Sequence, residues 1–413
     1  MDKLKKSSHL IAFLGSYILA YLYTYSLFFS EESVKSKIGF CIFAGLFLLW
    51  GYLIVPQKWS EIPKESLFWA ALTVALTAAS AVDAGNAVGA FLSLALHAVA
   101  VYTLLSYAGV LWGETGFYSP GSLLFGLVVY PFGNFFLRLV DLSKSISAIL
   151  KKATLKKTLT AILSFLAALV LLVVAVLLLS MADANFGKFF APLLKLQIPE
   201  WLSTFFGRFV VSLPVGAYFY GLYQGIKKDR EKLTEREEKL ARFTGTLSRA
   251  KVVGSVYLSC LIGLFCLLYI AFFALQGSYL FGAFRGVLPQ GFTVSSYARE
   301  GFFQLIMVGG LNFLLLGCAY LFGKESPTVH PALRLTSLIL MAETFLLSLT
   351  ALSKVFLYIR LYGFTPLRYS SFWACLVLMA GIALAVASVF KNIKGMQKWI
   401  FFAAATFAVL AFF

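Results

Sequence analysis

Charged residues are scarce in this sequence. Only 13% of the 413 residues are Asp, Glu, Lys or Arg, whereas 60% are hydrophobic, which excludes a water-soluble protein with a charged exterior. In lipid, only helices and closed β-barrels satisfy every backbone polar group. Barrel strands alternate in polarity, but the apolar blocks here run unbroken for about 18–25 residues. We therefore predict an all-α, polytopic transmembrane helical bundle.

The sequence also lacks the motifs of most catalytic and metal sites. Its three histidines are scattered and its five cysteines lie inside apolar blocks, which predicts neither a metal site nor a disulfide framework. It contains no phosphate-binding P-loop, no HExxH and no GxSxG. We therefore predict no cofactor and favour a protein that is not an enzyme. A lipid-modifying enzyme without a short signature stays open as an alternative.

Long apolar blocks predict about eleven spans, within a range of about 10 to 12. The first is too long for a signal peptide and lacks a cleavage site, so we interpret it as an uncleaved span. The block 121–137 contains Gly126, Pro131 and Gly133, which favours a broken, re-entrant or interfacial helix. The predicted spans are Leu10–Phe29, Ile38–Val55, Leu67–Val82, Asn86–Ala108, Thr158–Met181, Thr204–Ile226, Val252–Gln276, Glu300–Phe322, Leu333–Ile359, Ser370–Phe390 and Trp399–Phe413.

The formal charge of +17 is unevenly distributed between the loops. If the N-terminus is cytoplasmic and 121–137 does not cross, about three quarters of the Lys and Arg residues fall into cytoplasmic loops, as the positive-inside rule requires. We therefore predict a cytoplasmic N-terminus, a non-crossing 121–137 segment and location in the cytoplasmic membrane. Nucleic-acid binding is not predicted, because no segment is long enough to fold as a soluble basic domain.

Two membrane regions follow from the order of the spans. The N-terminal region, 1–157, has about four spans, the segment 121–137 and a basic cytoplasmic segment, 138–157, in which Arg138 and Asp141 predict a surface ion pair. The C-terminal region, 158–413, has about seven spans and a hydrophilic helical extension, 227–251. This extension, Lys227 to Lys251, is interpreted either as a solvated connector near anionic lipid headgroups or as a docking helix for a cytoplasmic protein partner.

One group of polar residues begins the span that starts at Glu300. Arg299 and Glu300 lie at its predicted external end, and Tyr297, Glu300, Gln304 and Asn312 recur near one helical face. Ionisable groups inside a membrane are costly, so each one is expected to face protein or water.

A second group closes the next span, also at the predicted external end. Lys354 and Tyr358 are spaced by four residues, Arg360 and Arg368 follow, and Glu343 lies three helical turns before Lys354 on the same face. A contact between Glu343 and Lys354 is not expected, since about 16 Å of helix separates them. Each is expected to find a partner elsewhere.

These two groups, together with Arg285, predict a pocket at one end of the helices. Arginine forks match phosphate and carboxylate oxygens, so the functional interpretation is recognition of an anionic small molecule or lipid headgroup from outside. The structural alternative is that Arg299 pairs with Glu343 or Glu300, and that arginines and tyrosines anchor helix ends at the interface.

Three segments resemble bacterial membrane proteins of the domain-of-unknown-function families numbered 4153 and 4173. They are Tyr297-Ala-Arg-Glu-Gly-Phe-Phe303, Tyr358-Ile-Arg-Leu-Tyr-Gly-Phe-Thr-Pro-Leu-Arg368 and Ala182-Asp-Ala-Asn-Phe186. The resemblance covers about residues 160–390 and implies a multi-span bacterial membrane protein without assigning a reaction.

Three functions remain open at this point. The first is a carrier or receptor-like protein for an anionic ligand, in which Arg299, Arg360 and Arg368 bind and Glu300 and Glu343 orient them or exchange protons. The second is a structural or regulatory subunit of a membrane complex. The third is an intramembrane enzyme acting on lipid.

Overall fold

The regular structure of the described residues is helical, apart from an isolated parallel bridge between Val253 and Gly323. The computed structural model describes residues 2–28, 34–58, 60, 62–82, 89–149, 200–232, 245, 249, 251–286, 291, 293–391 and 393–412, together with a few positions between 161 and 186. The all-α prediction is confirmed for this part of the chain.

The helices are mostly long. They are α1 (Asp2–Phe28), α2 (Val34–Ile54), α3 (Lys64–Val82), α4 (Gly89–Tyr107), α5 (Ser119–Leu124), α6 (Tyr130–Gly133), α7 (Leu137–Ile149), α8 (Glu200–Glu231), α9 (Ser255–Phe281), α10 (Val294–Phe322), α11 (Pro331–Tyr362), α12 (Pro366–Phe390) and α13 (Gly395–Leu410). A π-helical turn, Phe125–Val129, joins α5 to α6, and a 3₁₀ turn, Gly282–Arg285, follows α9.

Seven helical stretches in the described residues are long and apolar enough to cross a membrane: Lys64–Val82, Ser119–Ser143, Thr204–Glu231, Ser255–Gly277, Val294–Phe322, Pro331–Tyr362 and Pro366–Phe390. The chain is thus a multi-pass membrane protein, but the count of about eleven spans is not confirmed. Four further apolar stretches, of 10–17 residues, lie in α1, α2, α4 and α13, namely Leu10–Ser26, Ile38–Ile54, Phe91–Tyr107 and Gly395–Leu410. Most of the predicted span Thr158–Met181 lies outside the described residues.

The segment 121–137 is interrupted, as predicted. Helix α6 ends at Gly133, where the Asn134 amide donates to the carbonyl oxygen of Tyr130 at 2.8 Å, and α7 begins at Leu137. That side-chain bond takes up a carbonyl that the next helical turn would need. In length and composition, however, Ser119–Ser143 matches a spanning helix, which differs from the non-crossing interpretation based on charge.

The chain divides into two compact units. The first comprises Met1–Ser66, Ala100–Gly109 and Leu123–Glu231, and the second comprises Leu67–Val99, Val110–Ser122 and Lys232–Phe413. The grouping of the sequence into 1–157 and 158–413 stays a prediction. Helix α8 runs past the predicted end of its span to Glu231, as expected for the extension 227–251, most of which lies outside the described residues.

In the first unit, α8 packs closely on α6 through glycines. A β-carbon at Gly221 would overlap the carbonyl oxygen of Pro131, and one at Gly225 would lie 2.5 Å from Cγ of the Tyr130 ring. Such contacts are tighter than real β-carbons allow, so only glycine permits this helix separation. The Tyr130 hydroxyl also donates to the Asp229 carboxylate at 2.9 Å.

The predicted ion pair between Arg138 and Asp141 is wrong. The Arg138 guanidinium lies over the rings of Phe13 and Tyr17, 5.3 and 5.6 Å from their centroids. Asp141 instead accepts a hydrogen bond from the Tyr220 hydroxyl at 2.7 Å. The helix spacing permitted the pair, but neighbouring helices offered both side chains better partners.

In the second unit, α11 packs against α9, α10 and α12, and α12 packs against α13. Side chains from these helices form an apolar core that includes Ile262, Leu316, Leu340, Met341 and Leu378. The loop before α13 meets the loop after α4, where Lys394 forms an exposed ion pair with Glu114. The second unit positions every residue of the two predicted polar groups.

Candidate anion-binding site

The two predicted polar groups meet at one end of α10 and α11. The Ser295 hydroxyl, in the first turn of α10, is hydrogen-bonded to the Tyr358 hydroxyl, near the end of α11, at 3.2 Å. Helix α10 begins at a capping box, in which Thr293 and Ser296 bond each other's backbone. The prediction that the two segments share one end of the helices is confirmed.

Arg368 holds the turn after α11. Its guanidinium donates to the carbonyl oxygen of Tyr362 at 2.8 Å and to that of Gly363, and it lies 4.0 Å from the centroid of the Tyr358 ring. Gly363 has φ of 76°, a conformation that glycine adopts without strain and that ends the helix. Arg368 therefore shapes the site and is not free to bind a ligand with those donors.

Lys354 is buried between two tyrosine rings. Its side chain is 1% exposed, and its ammonium nitrogen lies 4.2 Å from the centroid of the Tyr279 ring and 4.3 Å from that of Tyr297. It has no hydrogen-bond partner among the described residues. The Tyr297 hydroxyl donates to the carbonyl oxygen of Tyr279, so α9, α10 and α11 join at this point. Gly301 leaves the space that the lysine occupies.

A cavity of about 440 Å³ lies beside this join, with two arginines in its lining. Arg285 comes from the 3₁₀ turn after α9 and Arg360 from the last turn of α11. Neither guanidinium forms an ion pair with a described residue. The remaining lining is one serine, Ser353, a short piece of the 3₁₀ turn and apolar side chains, namely Phe284, Leu349, Leu352, Phe356, Leu357 and Phe372.

The other predicted site residues are not among the described residues that line this cavity. Arg299 is exposed, close enough to Tyr358 for their charges to interact, and Gln304 is also exposed. The side chain of Glu300 lies outside the described residues. An Arg299–Glu343 pair, one of the structural alternatives, does not form, because Glu343 is buried near Cys266 in the interior of the unit.

Glu343 belongs to a separate polar cluster in the helix interior. It is 5% exposed, and next to it in α11 Thr344 accepts a hydrogen bond from the Asn312 amide at 2.9 Å. Asn312 in turn accepts one from the Tyr269 hydroxyl at 2.7 Å. Lys354 and Glu343 do not meet, as predicted, but the expectation that each has a polar partner fails within the described residues.

Some of these features had no usable signal in the sequence. Tyr279, Tyr269 and Thr344 lie in apolar blocks with nothing to distinguish them from ordinary packing residues. The sequence predicts Arg285 as a nearby charge, but only the 3₁₀ turn brings it into the lining of the same cavity as Arg360. In the described residues no group of three or more His, Cys, Asp or Glu side chains is placed to hold a metal ion.

A family comparison covers both of the segments that meet at this site. The model of the family described as Domain of unknown function (DUF4153) matches residues 66–413. The chain belongs to DUF4153. The DUF4153 match begins well before residue 160, so the resemblance extends further toward the N-terminus than the motifs indicated. No match was found among curated proteins or among solved structures. DUF4153 carries no described activity, and a function must therefore be argued from the site.

Proposed function

We propose that this protein recognises an anionic amphiphile, with a phosphate or carboxylate held by Arg285 and Arg360, as a carrier or receptor-like membrane protein. The observation that carries the proposal is the cavity of about 440 Å³, which is lined by two arginines without an ion-pair partner among the described residues and otherwise mostly by apolar side chains. A guanidinium group can donate two parallel hydrogen bonds to the oxygens of one phosphate or carboxylate. An acyl chain would occupy the apolar part.

The lining favours a lipid over a small soluble anion. Phe284 and Phe356 are at least half exposed, so the cavity opens at an apolar surface. In a membrane protein such a surface faces lipid tails. Arg299, Gln304 and Glu300 are proposed to form the outer rim, while Tyr358, Arg368 and Lys354 position the helix ends. The uneven loop charge supports an external site, a cytoplasmic N-terminus and location in a bacterial cytoplasmic membrane.

Lipid binding to the purified protein in detergent tests this function. Fluorescent phosphatidylglycerol is expected to bind more tightly than phosphatidylcholine, because only the former carries net negative charge. Arg285→Ala and Arg360→Ala are each expected to weaken binding about tenfold or more, since a hydrogen bond to a charged group is worth about 1.5–3 kcal/mol. The matched control is Lys324→Ala, which removes an exposed charge at the opposite end of α10.

Competition by glycerol 3-phosphate separates the two sources of the anionic group. Displacement of the lipid at similar concentrations would indicate a soluble phosphate compound, whereas weak competition would indicate a lipid headgroup, which is the expected result. Wild-type affinity for phosphatidylglycerol in the Arg285→Ala/Arg360→Ala double variant would contradict the proposal.

A further inference from the structure

Glu343 is a carboxylic acid in the middle of a long apolar helix. It is the thirteenth residue of α11, roughly 18 Å from the start of a helix that is itself long enough to cross a bilayer. Its side chain is 5% exposed, and neither carboxyl oxygen has a hydrogen-bond partner among the described residues. Buried acids in such positions are costly and need a reason.

The polar groups around Glu343 are already engaged with one another. Tyr269 donates to Asn312, Asn312 donates to Thr344, and Thr344 donates to the carbonyl oxygen of Leu340 at 2.6 Å. The Cys266 thiol lies beside the carboxyl, but it is directed to the carbonyl oxygen of Thr336 at 3.7 Å. Among these donors only the Cys266 thiol, a weak one, is within reach of the carboxyl group, so a negative charge on Glu343 would have little hydrogen-bond support.

No basic side chain of the described residues compensates Glu343. The titratable groups that face it from α9 are Cys266 and Tyr269, both neutral at physiological pH. Helix α10 contributes the neutral amide of Asn312, and α12 contributes apolar core residues such as Leu378 and Ile382. The lysine of α11, Lys354, lies on tyrosine rings eleven residues away. An ionised carboxylate here would be a buried charge without a counter-ion.

A groove beside this cluster extends as far as Cys266, the neighbour of Glu343. It has a volume of about 510 Å³, lies between α9 and α11, and is almost entirely apolar. Cys260, Gly263 and Ile339 form part of its wall, and Cys266, the neighbour of Glu343, forms its inner part. A small lipophilic molecule dissolved in the bilayer can therefore come as close to the acid as Cys266.

We propose that Glu343 is a proton-binding site in the membrane interior of the second unit, occupied by a proton at rest and released when the helices around it rearrange. The ligand is a proton, held by a carboxyl group with no basic side chain beside it in the described part of the chain. Such a site would give a membrane carrier a way to couple its cycle to a proton gradient. The site itself does not depend on the anion-binding function proposed above, and its test uses no lipid ligand.

The test is reaction of the purified, folded protein with dicyclohexylcarbodiimide, an apolar reagent that modifies protonated carboxylic acids. Mass spectrometry of peptides is expected to find the N-acylurea adduct on Glu343 near neutral pH, with less adduct as the pH rises. Loss of that adduct is expected in Glu343→Gln, while Glu325→Gln, which changes an exposed acid, is expected to leave it unchanged. Gly263→Leu, which narrows the groove where only Thr336 is near, is expected to slow the reaction.

Two outcomes would overturn the inference. One is the absence of an adduct on Glu343 in the folded wild-type protein at every pH. The other is protection of Glu343 by Na⁺ but not by K⁺ at equal ionic strength, because it would show a metal-ion site in place of a proton site. Neither outcome bears on Arg285 or Arg360, so failure here leaves the anion-binding proposal to its own test.

Discussion

Individual residues show how closely the second unit is packed around its buried charge. Lys354 fills a space enclosed by Tyr279, Tyr297 and the α-carbon of Gly301. An ammonium over aromatic faces gains about 2 kcal/mol when it is shielded from water, which offsets part of the cost of burying it. Glycine is required at position 301 because a side chain there would occupy the space of Lys354, and not because the backbone has a conformation that favours glycine.

Gly301→Ala is expected to destabilise the protein by about 1–3 kcal/mol, the usual cost of overpacking. The new β-carbon would lie 2.9 Å from Cδ of Lys354, so the lysine would have to shift from its position between the tyrosine rings. Thermal unfolding in detergent measures the change. The matched control is Gly310→Ala on the same helix, where a β-carbon meets nothing within 4 Å, and equal stability of the two variants would contradict this account.

The exposed ion pair between Glu114 and Lys394 predicts a dependence of stability on pH. Hydrogen bonding to Lys394 and its positive charge hold the pKa of Glu114 below its ordinary value. A lowered pKa in the folded state contributes stability above the ordinary pKa of glutamate, and that contribution disappears as the pH falls through the lowered value. The effect is small because both side chains are exposed and screened by water.

Comparison of wild type with Glu114→Gln across pH tests this point. The wild type is expected to melt at a slightly higher temperature at pH 7, and the difference is expected to vanish well below pH 4 and in high salt. Glu325→Gln, an exposed acid in another loop, serves as the control. A difference that persists in strong acid would show that the pair is not its source.

At the scale of helices, the same ion pair restricts how the chain crosses the membrane. Glu114 and Lys394 can meet only if an even number of crossings separates them. Five long apolar helices, α8 to α12, lie between them and are interpreted as crossing. One, and not both, of the segments 119–143 and 158–181 must then also cross. The charge distribution assigns the crossing to 158–181.

Labelling of single cysteines in a cysteine-free variant tests that assignment. Ser145→Cys and Glu114→Cys are expected to react with a membrane-impermeant maleimide from the same side, because 119–143 turns back at its interruption. Arg360→Cys is expected to react from the opposite side and serves as the orientation control. Reaction of residues 114 and 145 from opposite sides would show that 119–143 crosses and that 158–181 does not.

At the scale of the whole molecule, the sequence predicted that the protein lies in a lipid bilayer, that its fold is all-α, and that the polar segments around Tyr297 and Tyr358 meet. The fold class could be predicted because apolar blocks of about 20 residues form helices in lipid. The number of spans was harder to predict from the sequence, because helix ends depend on local hydrogen bonds such as that from the Asn134 amide to the Tyr130 carbonyl oxygen. Residues that look alike in sequence, such as Arg360 and Arg368, also received different roles in the structure.

The sequence by itself determined that this chain is an α-helical membrane protein, because composition and length decide which segments enter lipid, and there an unbroken apolar segment pairs its backbone groups as a helix. Tertiary structure alone decided which charges have partners. Arg368 bonds the carbonyl oxygens at its own helix end, Arg360 lines the same cavity as Arg285, Lys354 lies on two rings, and Glu343 has no basic partner among the described residues. Such pairings depend on helix rotation and on side chains from distant parts of the chain, neither of which helical spacing specifies.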